Sequence, residues 1–231
     1  MITISVAMVM AAGFGTRMGD LTRDCPKPLL SVAGRCLIDH VLDHVERAGI
    51  SRAVVNLHYR GDQVRAHLAA RRSPKILFSP EHDLLETGGG VVNALPLLGD
   101  APFVTLNADA IWTGDDPVPA LQAGWDAKMG ALLHLVPRER AIGYTRAGDF
   151  FRDDAGRLSR RGDAEIAPLV FTGAQIVRPS AFQDAPKGAF STNIIWDRLI
   201  AEGRLFGIVH PGHWVDVGTP DGLALAEETL A

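Results

Sequence analysis

An N-terminal apolar run that opens directly into paired glycines constrains this chain more than any other feature. Ile4 to Met10 reads as a buried strand, and Ala11-Ala12-Gly13-Phe14-Gly15-Thr16-Arg17-Met18 follows without a break. Glycines at 13 and 15 permit positive φ and leave no Cβ between a ligand and the backbone. N–H groups freed in such a loop form a concave nest that favours anions such as phosphates. Arg17 and Lys27 add fixed positive charge, and Pro26 and Pro28 are expected to hold the backbone around Lys27 extended. A glycine pair alone marks only a turn. Together with Arg17 and Pro26-Lys27-Pro28 it predicts a polyphosphate site. The loop lacks both G-x-x-x-x-G-K-[ST] and the third glycine of G-x-G-x-x-G, so it is neither of the two commoner phosphate loops.

Length and charge narrow the setting. With 231 residues and 47% hydrophobic content, the chain can build one sizeable α/β domain or two small ones. A formal net charge of −4 argues against a nucleic-acid partner. No segment has the length and apolarity of a membrane span, and no signal peptide is apparent, because Ile2 to Ala12 is too short and lacks a basic start. Cys25 and Cys36 are too few for a disulfide framework and are not spaced as metal ligands. Both are read as free thiols in a reducing cytoplasm, and for Cys25, beside Lys27, ordinary packing is preferred over a reactive role.

Along the chain, strands and helices alternate. Leu37 to Ala48 has helical periodicity and Gly49 is a plausible C′ residue. Ala53 to His58 reads as a second parallel strand, Gln63 to Arg71 as a helix and Lys75 to Ser79 as a third strand. Gly88-Gly89-Gly90 opens a helix running to about Leu98, a start that would expose N–H donors and let a flat ring lie on the backbone. Pro102 to Asp109 reads as an apolar strand running straight into a carboxylate, and an aspartate at the carboxyl end of a buried strand belongs at the ligand crevice. Leu121 to Lys128 suggests a helix and Ala131 to Val136 another strand. From Pro137 to Ala167 the sequence turns charged and weakly periodic, with a hairpin expected around Asp154-Ala155-Gly156. Leu169 to Val177 is a strand interrupted at Thr172-Gly173, as at a bulge. Asn193 to Glu202 is an amphipathic helix, and Val215-Asp216-Val217 is a strand leading into a helix at Asp221 to Leu230. The pattern is that of a doubly wound α/β sheet.

Several of these runs resemble one family. Ala11 to Met18 with Pro26-Lys27-Pro28 matches, residue by residue, the A-A-G-x-G-T-R-[ML]…P-K-[PA] motif of sugar-1-phosphate nucleotidyltransferases. Trp214-Val-Asp-Val-Gly-Thr-Pro220 resembles that family's W-x-D-[VI]-G-T-P segment. Glu86-Thr87-Gly88-Gly89-Gly90 is most similar to the L-E-T-G-G-G run of N-acetylmuramate-1-phosphate uridylyltransferases; relatives for glucose- or mannose-1-phosphate tend to carry Gly-Thr-Ala or Gly-Ser-Ala there. The likeness runs from Met8 to the final helix. Two departures are visible: Gly19-Asp20 stands where the family usually has a proline, which should loosen the loop, and Ala108-Asp109 replaces Gly-Asp.

The resemblance implies a single nucleotidyltransferase domain over 1–231: a mixed, mostly parallel Rossmann-like sheet with a small sugar-binding lobe. Its nucleotide-binding part would cover about 1–110 and its sugar-binding part about 111–231. It implies that Asp109 and Asp216 hold Mg²⁺ and that Arg17 and Lys27 act on the phosphates. Ala11, Ala12, Gly13, Gly15, Thr16, Glu86, Gly88 and Asn107 would contact the nucleotide, and Asp149, Thr172, Gly173 and Asn193 the sugar. The reaction implied is transfer of a nucleoside monophosphate from an NTP, UTP by preference, to a sugar 1-phosphate, N-acetylmuramate 1-phosphate by preference, during peptidoglycan recycling. Mannose-1-phosphate guanylyl transfer, or transfer to another hexose 1-phosphate, is the alternative, and a non-catalytic nucleotide-sugar-binding subunit a remote one. Because the chain ends after its last helix, a transferase of single function is expected. Oligomeric state is not readable.

Overall fold

The structure is a computed structural model, and it describes residues 4–231. In chain order, β1 (Val6–Met10) enters the glycine loop and two short 3-10 turns. A small hairpin, β2 (Ser31–Val32) and β3 (Arg35–Cys36), leads to α1 (Leu37–Arg47). Then follow β4 (Arg52–Leu57), α2 (Gly61–Leu68), β5 (Lys75–Pro80), α3 (Glu86–Leu98), β6 (Phe103–Asn107), β7 (Ala110–Thr113), α4 (Pro117–Gly124) and β8 (Ala131–Pro137). The second half contains β9 (Ala141–Ile142), β10 (Phe150–Arg152), β11 (Leu158–Arg160), β12 (Leu169–Val177), α5 (Asn193–Ala201), β13 (Leu205–Val209), β14 (His213–Asp216) and α6 (Pro220–Leu230).

Nine strands form one mixed, mostly parallel sheet. The path β11-β10-β12-β6-β1-β4-β5 is joined by β8 and β13 beyond β12, and only β11 and β12 run against the rest. Alternation along β1 explains the layering. Ala7 and Val9 face α1, α2 and α4, whereas Val6 and Met8 face α3 and α5. Both faces are therefore covered, which requires the near-continuous apolar runs seen in the central strands. A second, three-stranded sheet, β7-β14-β9, closes one end, and α6 packs on it through Ala226.

Some elements depart from the sequence reading. The helix expected over Leu121–Lys128 begins earlier, because Asp116 caps it by accepting from the Val118 N–H at 3.2 Å, and it stops at Gly124. Lys27–Leu29 is a 3-10 turn rather than extended, closed by Leu29 N–H donating to the Pro26 carbonyl at 2.8 Å. Gly19 does not loosen its loop. At φ +58 it joins two 3-10 turns, and the Thr22 hydroxyl donates to the Gly15 and Gly19 carbonyls. The hairpin around Asp154–Gly156 is present as β10 and β11, and Gly49, at φ +74, follows α1 as expected.

Candidate active site

Two features of the sheet create the site. First, the chain winds from β1 outward to β4 and β5 and then returns to place β6 on the other side of β1. Such a switch of direction opens a crevice at the carboxyl ends of the strands. Second, β12 changes neighbour along one edge: Ala174–Val177 pair with β6, and Leu169 pairs with Phe150 of β10. The register against β8 shifts between Phe171 and Gln175. Gly173 sits in that bulge at φ +86, and a Cβ there would come within 2.9 Å of the Asn107 amide. The expected bulge is thus real, and it opens the sheet where Asn107 ends β6.

A cleft of about 380 Å³ occupies this gap and is lined by Arg17, Asn107, Asp109, Asp149, Asn193 and Asp216, among others. A smaller hollow of about 220 Å³ adjoins it, bounded by Ala11, Gly13, Gly15, Thr16, Arg17, Lys27 and Asp109. Arg17 and Asp109 line both. The glycine loop, Asn107, Asp109, Asp216 and two of the predicted sugar contacts, Asp149 and Asn193, therefore share one connected site.

At the phosphate end the loop is preorganised. The N–H groups of Ala12 to Gly15 donate to no protein group among the described residues, whereas Ala11 N–H is taken by the buried Asn56 side chain at 2.7 Å. A Cβ on Gly13 would meet nothing within 4 Å, leaving open space beside the backbone; one on Gly15 would meet the Lys27 and Thr22 side chains at 3.0 and 3.1 Å. Lys27, only 7% exposed, is ion-paired to Asp109. The far end of the loop is strapped down by Tyr59, whose hydroxyl donates to the Thr22 and Arg23 carbonyls at 2.8 and 3.0 Å. Arg60 reinforces it through the Arg23 carbonyl and Asp24.

The two aspartates, 107 positions apart in sequence, converge because β7 and β14 pair antiparallel, setting Asp216 opposite Ala110 and hence beside Asp109. Arg146 lies 3.5 Å from Asp216. A Cβ on Gly218 would come within 2.7 Å of the Arg17 guanidinium and 2.9 Å of the Asp216 carboxylate. Two hard carboxylate oxygen donors at the mouth of the glycine loop suit a divalent cation such as Mg²⁺. Each already faces a cation of the protein, so the negative charge is held ready for exchange. A second grouping, Cys36, Asp39 and His67, has donor atoms within 4.8 Å of one another. There His67 and Asp39 already hydrogen-bond at 2.7 Å, and Arg71 stands 3.6 Å from Asp39. Burial pushes the Cys25 thiol upward, which works against the reactive role considered for it.

Several predicted residues are placed otherwise than expected. The Gly88 and Gly89 N–H groups are not free for a ring or a phosphate: both donate to the Phe190 carbonyl, at 2.8 and 3.2 Å. The three glycines serve close packing instead. A Cβ on Gly88 would strike Phe190 at 2.3 Å, one on Gly89 the Gly188 carbonyl at 2.3 Å, and one on Gly90 the Glu81 carboxylate at 2.8 Å. Glu86, exposed and at φ +59, does not line the cleft; its neighbour Thr87 does. Thr172 is fully buried on the other side of the bulge, where its hydroxyl donates to the His134 carbonyl and pairs with the His134 ring at 2.8 Å. Asp149 does reach the cleft, but its carboxylate already accepts from Phe171 N–H at 2.9 Å and the Tyr144 hydroxyl at 3.3 Å. Burial, and secondarily this carboxylate, raise the Tyr144 pKa and keep the phenol protonated as donor.

Sequence reasoning passed over Asn56 and Glu81. Asn56 donates to Glu81 at 2.7 Å, and Glu81 accepts the Leu85 N–H at 3.0 Å, so one buried chain ties Ala11 to the start of α3. It also passed over Arg160, Gln175 and Trp196, which line the cleft. Their only signal was a polar residue, Gln175, inside an apolar strand.

Comparison with known proteins bears on this arrangement. Residues 7–184 match the MobA-like NTP transferase domain. The chain belongs to that family. It is a nucleotidyltransferase, and its family typically needs a divalent metal. It is 44% identical to the N-acetylmuramate alpha-1-phosphate uridylyltransferase of Caulobacter vibrioides, over 98% of this chain and 97% of that one. The protein of the same name from Neisseria meningitidis is 34% identical, over 92% and 93%. Mannose-1-phosphate guanylyltransferases are also similar: the probable enzyme 1 of Oryza sativa is 26% identical and the mannose-1-phosphate guanyltransferase of Aspergillus fumigatus 36%, each over 93% of this chain and 61% of its own length. The fold is shared with HddC from Yersinia pseudotuberculosis complexed with GMP-PN, at a TM-score of 0.79 and 20% identity over 99% and 100% of the two chains. No helix among the described residues is long and apolar enough to cross a membrane.

Proposed function

We propose that this transferase moves a uridylyl group from UTP to N-acetylmuramate 1-phosphate, releasing pyrophosphate, in cytoplasmic peptidoglycan recycling. The observation that carries the reading is 44% identity to an N-acetylmuramate alpha-1-phosphate uridylyltransferase along almost the whole of both chains. The geometry agrees with the chemistry it requires. Residues of about 1–110 provide the nucleotide half and about 111–231 the sugar half.

In this reading the N–H groups of Ala12, Gly13, Gly15 and Thr16 receive the triphosphate, and the Arg17 fork takes two of its β- and γ-oxygens at once. Lys27 neutralises charge at the α-phosphate or at the incoming sugar phosphate as a compact point charge. Asp109 and Asp216 would hold Mg²⁺, which when bound would draw off charge developing on the phosphates. Asn107 steadies the nucleotide beside the reacting phosphorus, while Asp149, the Gly173 backbone and Asn193 orient the sugar. An oxygen of the sugar 1-phosphate attacks the α-phosphorus in line, and the bond to the pyrophosphate oxygen breaks. No side chain forms a covalent intermediate. The protein positions the partners and preorganises charge.

The test is a matrix of nucleoside triphosphates against sugar 1-phosphates, scored by pyrophosphate release. UTP with N-acetylmuramate 1-phosphate is expected to give the highest kcat/KM. GTP with mannose 1-phosphate as the best pair would overturn the substrate reading and leave the family membership standing.

A further inference from the structure

We infer that Arg160 is a specificity-determining residue that binds an acidic substituent of the sugar, a carboxylate in the substrate proposed above. The inference rests on that substrate reading.

Arg160 ends β11 and lines the cleft alongside Asp149, Phe171, Asn193 and Trp196. Its guanidinium is fixed on three sides. Nε donates to Asp197 at 2.7 Å, and Nη2 donates to the Asn193 carbonyl and side-chain oxygen at 3.2 and 3.0 Å. Its planar carbon lies 5.0 Å from the Phe150 ring centre and 5.4 Å from that of Trp196. Trp196 is in turn held by its N–H donating to the buried Gln175 at 2.9 Å. Nη1 has no hydrogen-bond partner among the described residues.

This is more construction than a neutral hexose requires. Ring hydroxyls are met by amides and carboxylates, and Asp149, Asn193 and Gln175 already provide those in the same cleft. A guanidinium held beside two aromatic rings, with one amine group unused, suits a planar anion. Arg160 pairs with neither Asp109 nor Asp216, whereas Arg146 stands 3.5 Å from Asp216. The phosphate charges therefore have Arg17, Lys27 and Arg146 near the two cation-binding carboxylates, and Arg160, ion-paired to Asp197 through Nε, keeps Nη1 for a separate anion. N-acetylmuramate differs from N-acetylglucosamine by such an anion, a lactyl carboxylate on O3.

The experiment compares N-acetylmuramate 1-phosphate with N-acetylglucosamine 1-phosphate, each with UTP, in the wild type, Arg160→Lys and Arg160→Met. Loss of a charge-assisted hydrogen bond predicts that Arg160→Met lowers the acidic-to-neutral ratio of kcat/KM by about 10- to 100-fold. The fall should appear in KM for the acidic sugar rather than in KM for UTP. Arg160→Lys should fall between, since it keeps charge and loses the fork. Equal losses on both sugars would make Arg160 a structural residue and overturn the inference, as would a ratio held in Arg160→Met. A wild type that prefers the neutral sugar would defeat the substrate reading itself, before any variant is measured. A wild type that prefers the acidic one with no change in Arg160→Met would defeat this inference alone. Thermal melting of both variants checks that each is folded.

Discussion

At the phosphate end of the cleft, the loop groups assigned to the triphosphate lie within residues 11–28, and their partners Asp109 and Asp216 each end or follow a strand. At the sugar end, Asp149, Arg160, Phe171, Gln175, Asn193 and Trp196 arrive from β10, β11, β12 and α5 and their flanks. The first is a short contiguous motif in which the N–H groups of Ala12 to Gly15 have no protein partner among the described residues. The second is a mosaic held by side-chain bonds, such as Trp196 to Gln175 and Arg160 to Asp197. A reaction common to a whole family suits the first construction. Choice among substrates suits the second, because each piece of a mosaic can change without disturbing the chemistry.

The largest test of this contrast falls on the phosphate end. Asp109→Asn or Asp216→Asn is expected to lower kcat on the order of 10²–10³-fold with a smaller change in substrate binding, since their charge acts on the transition state. Pyrophosphate release at saturating Mg²⁺ checks it, and a near-normal rate in either variant removes that aspartate from the site. Next comes the glycine run. Gly88→Ala puts a Cβ 2.3 Å from Phe190, so a destabilisation of about 1–3 kcal/mol is expected from overpacking. Denaturant unfolding measures it. Retained stability with lost nucleotide binding would show that the glycine serves a ligand after all.

A smaller effect probes the buried support behind the bulge. Burial, and then the neighbouring His210, push the His134 pKa down to about 3, and burial lowers that of His210 as well. The unfolded chain therefore binds more protons below the ordinary histidine value of about 6.5. No stability is lost to this group above pH 6.5. Between 6.5 and 3 the loss grows by about 1.4 kcal/mol per pH unit for His134, and below 3 it levels off. Unfolding free energies at pH 7.0 and 5.5 in the wild type and His134→Gln read it out, the variant showing the shallower fall. The smallest effect is at the loop strap: Tyr59→Phe removes two hydrogen bonds to Thr22 and Arg23 carbonyls and is expected to cost about 1 kcal/mol. It should appear as weaker UTP binding by calorimetry, with acidic-to-neutral sugar preference intact. A changed sugar preference would blur the separation of the two ends.

The glycine-loop end of the cleft was legible in the sequence for a physical reason. A backbone nest needs glycines, fixed cations and prolines in one short segment, so its chemistry and its order along the chain coincide. Asp109 and Asp216 were legible because each stands at the end of an apolar run. The alternation of strands and helices likewise followed from periodicity. The glycine run misled, because a sequence cannot say whether a missing Cβ makes room for a ligand or for the protein's own backbone; Phe190 and Gly188 decide that. Thr172 misled similarly, since at a bulge the alternation of faces is lost and the hydroxyl turns to His134.

By itself, then, the sequence determined the loop, its cations, the two carboxylates and the layered α/β plan, all features written into local spacing. Only the tertiary structure decided what stands opposite what: the β7–β14 pairing that brings Asp216 beside Asp109, and the passing of the β12 edge from β6 to β10 that opens the cleft. It also placed Arg160 against Phe150 and Trp196. Those contacts join residues tens of positions apart through strand register, and register is set by packing of the whole sheet rather than by any segment of it.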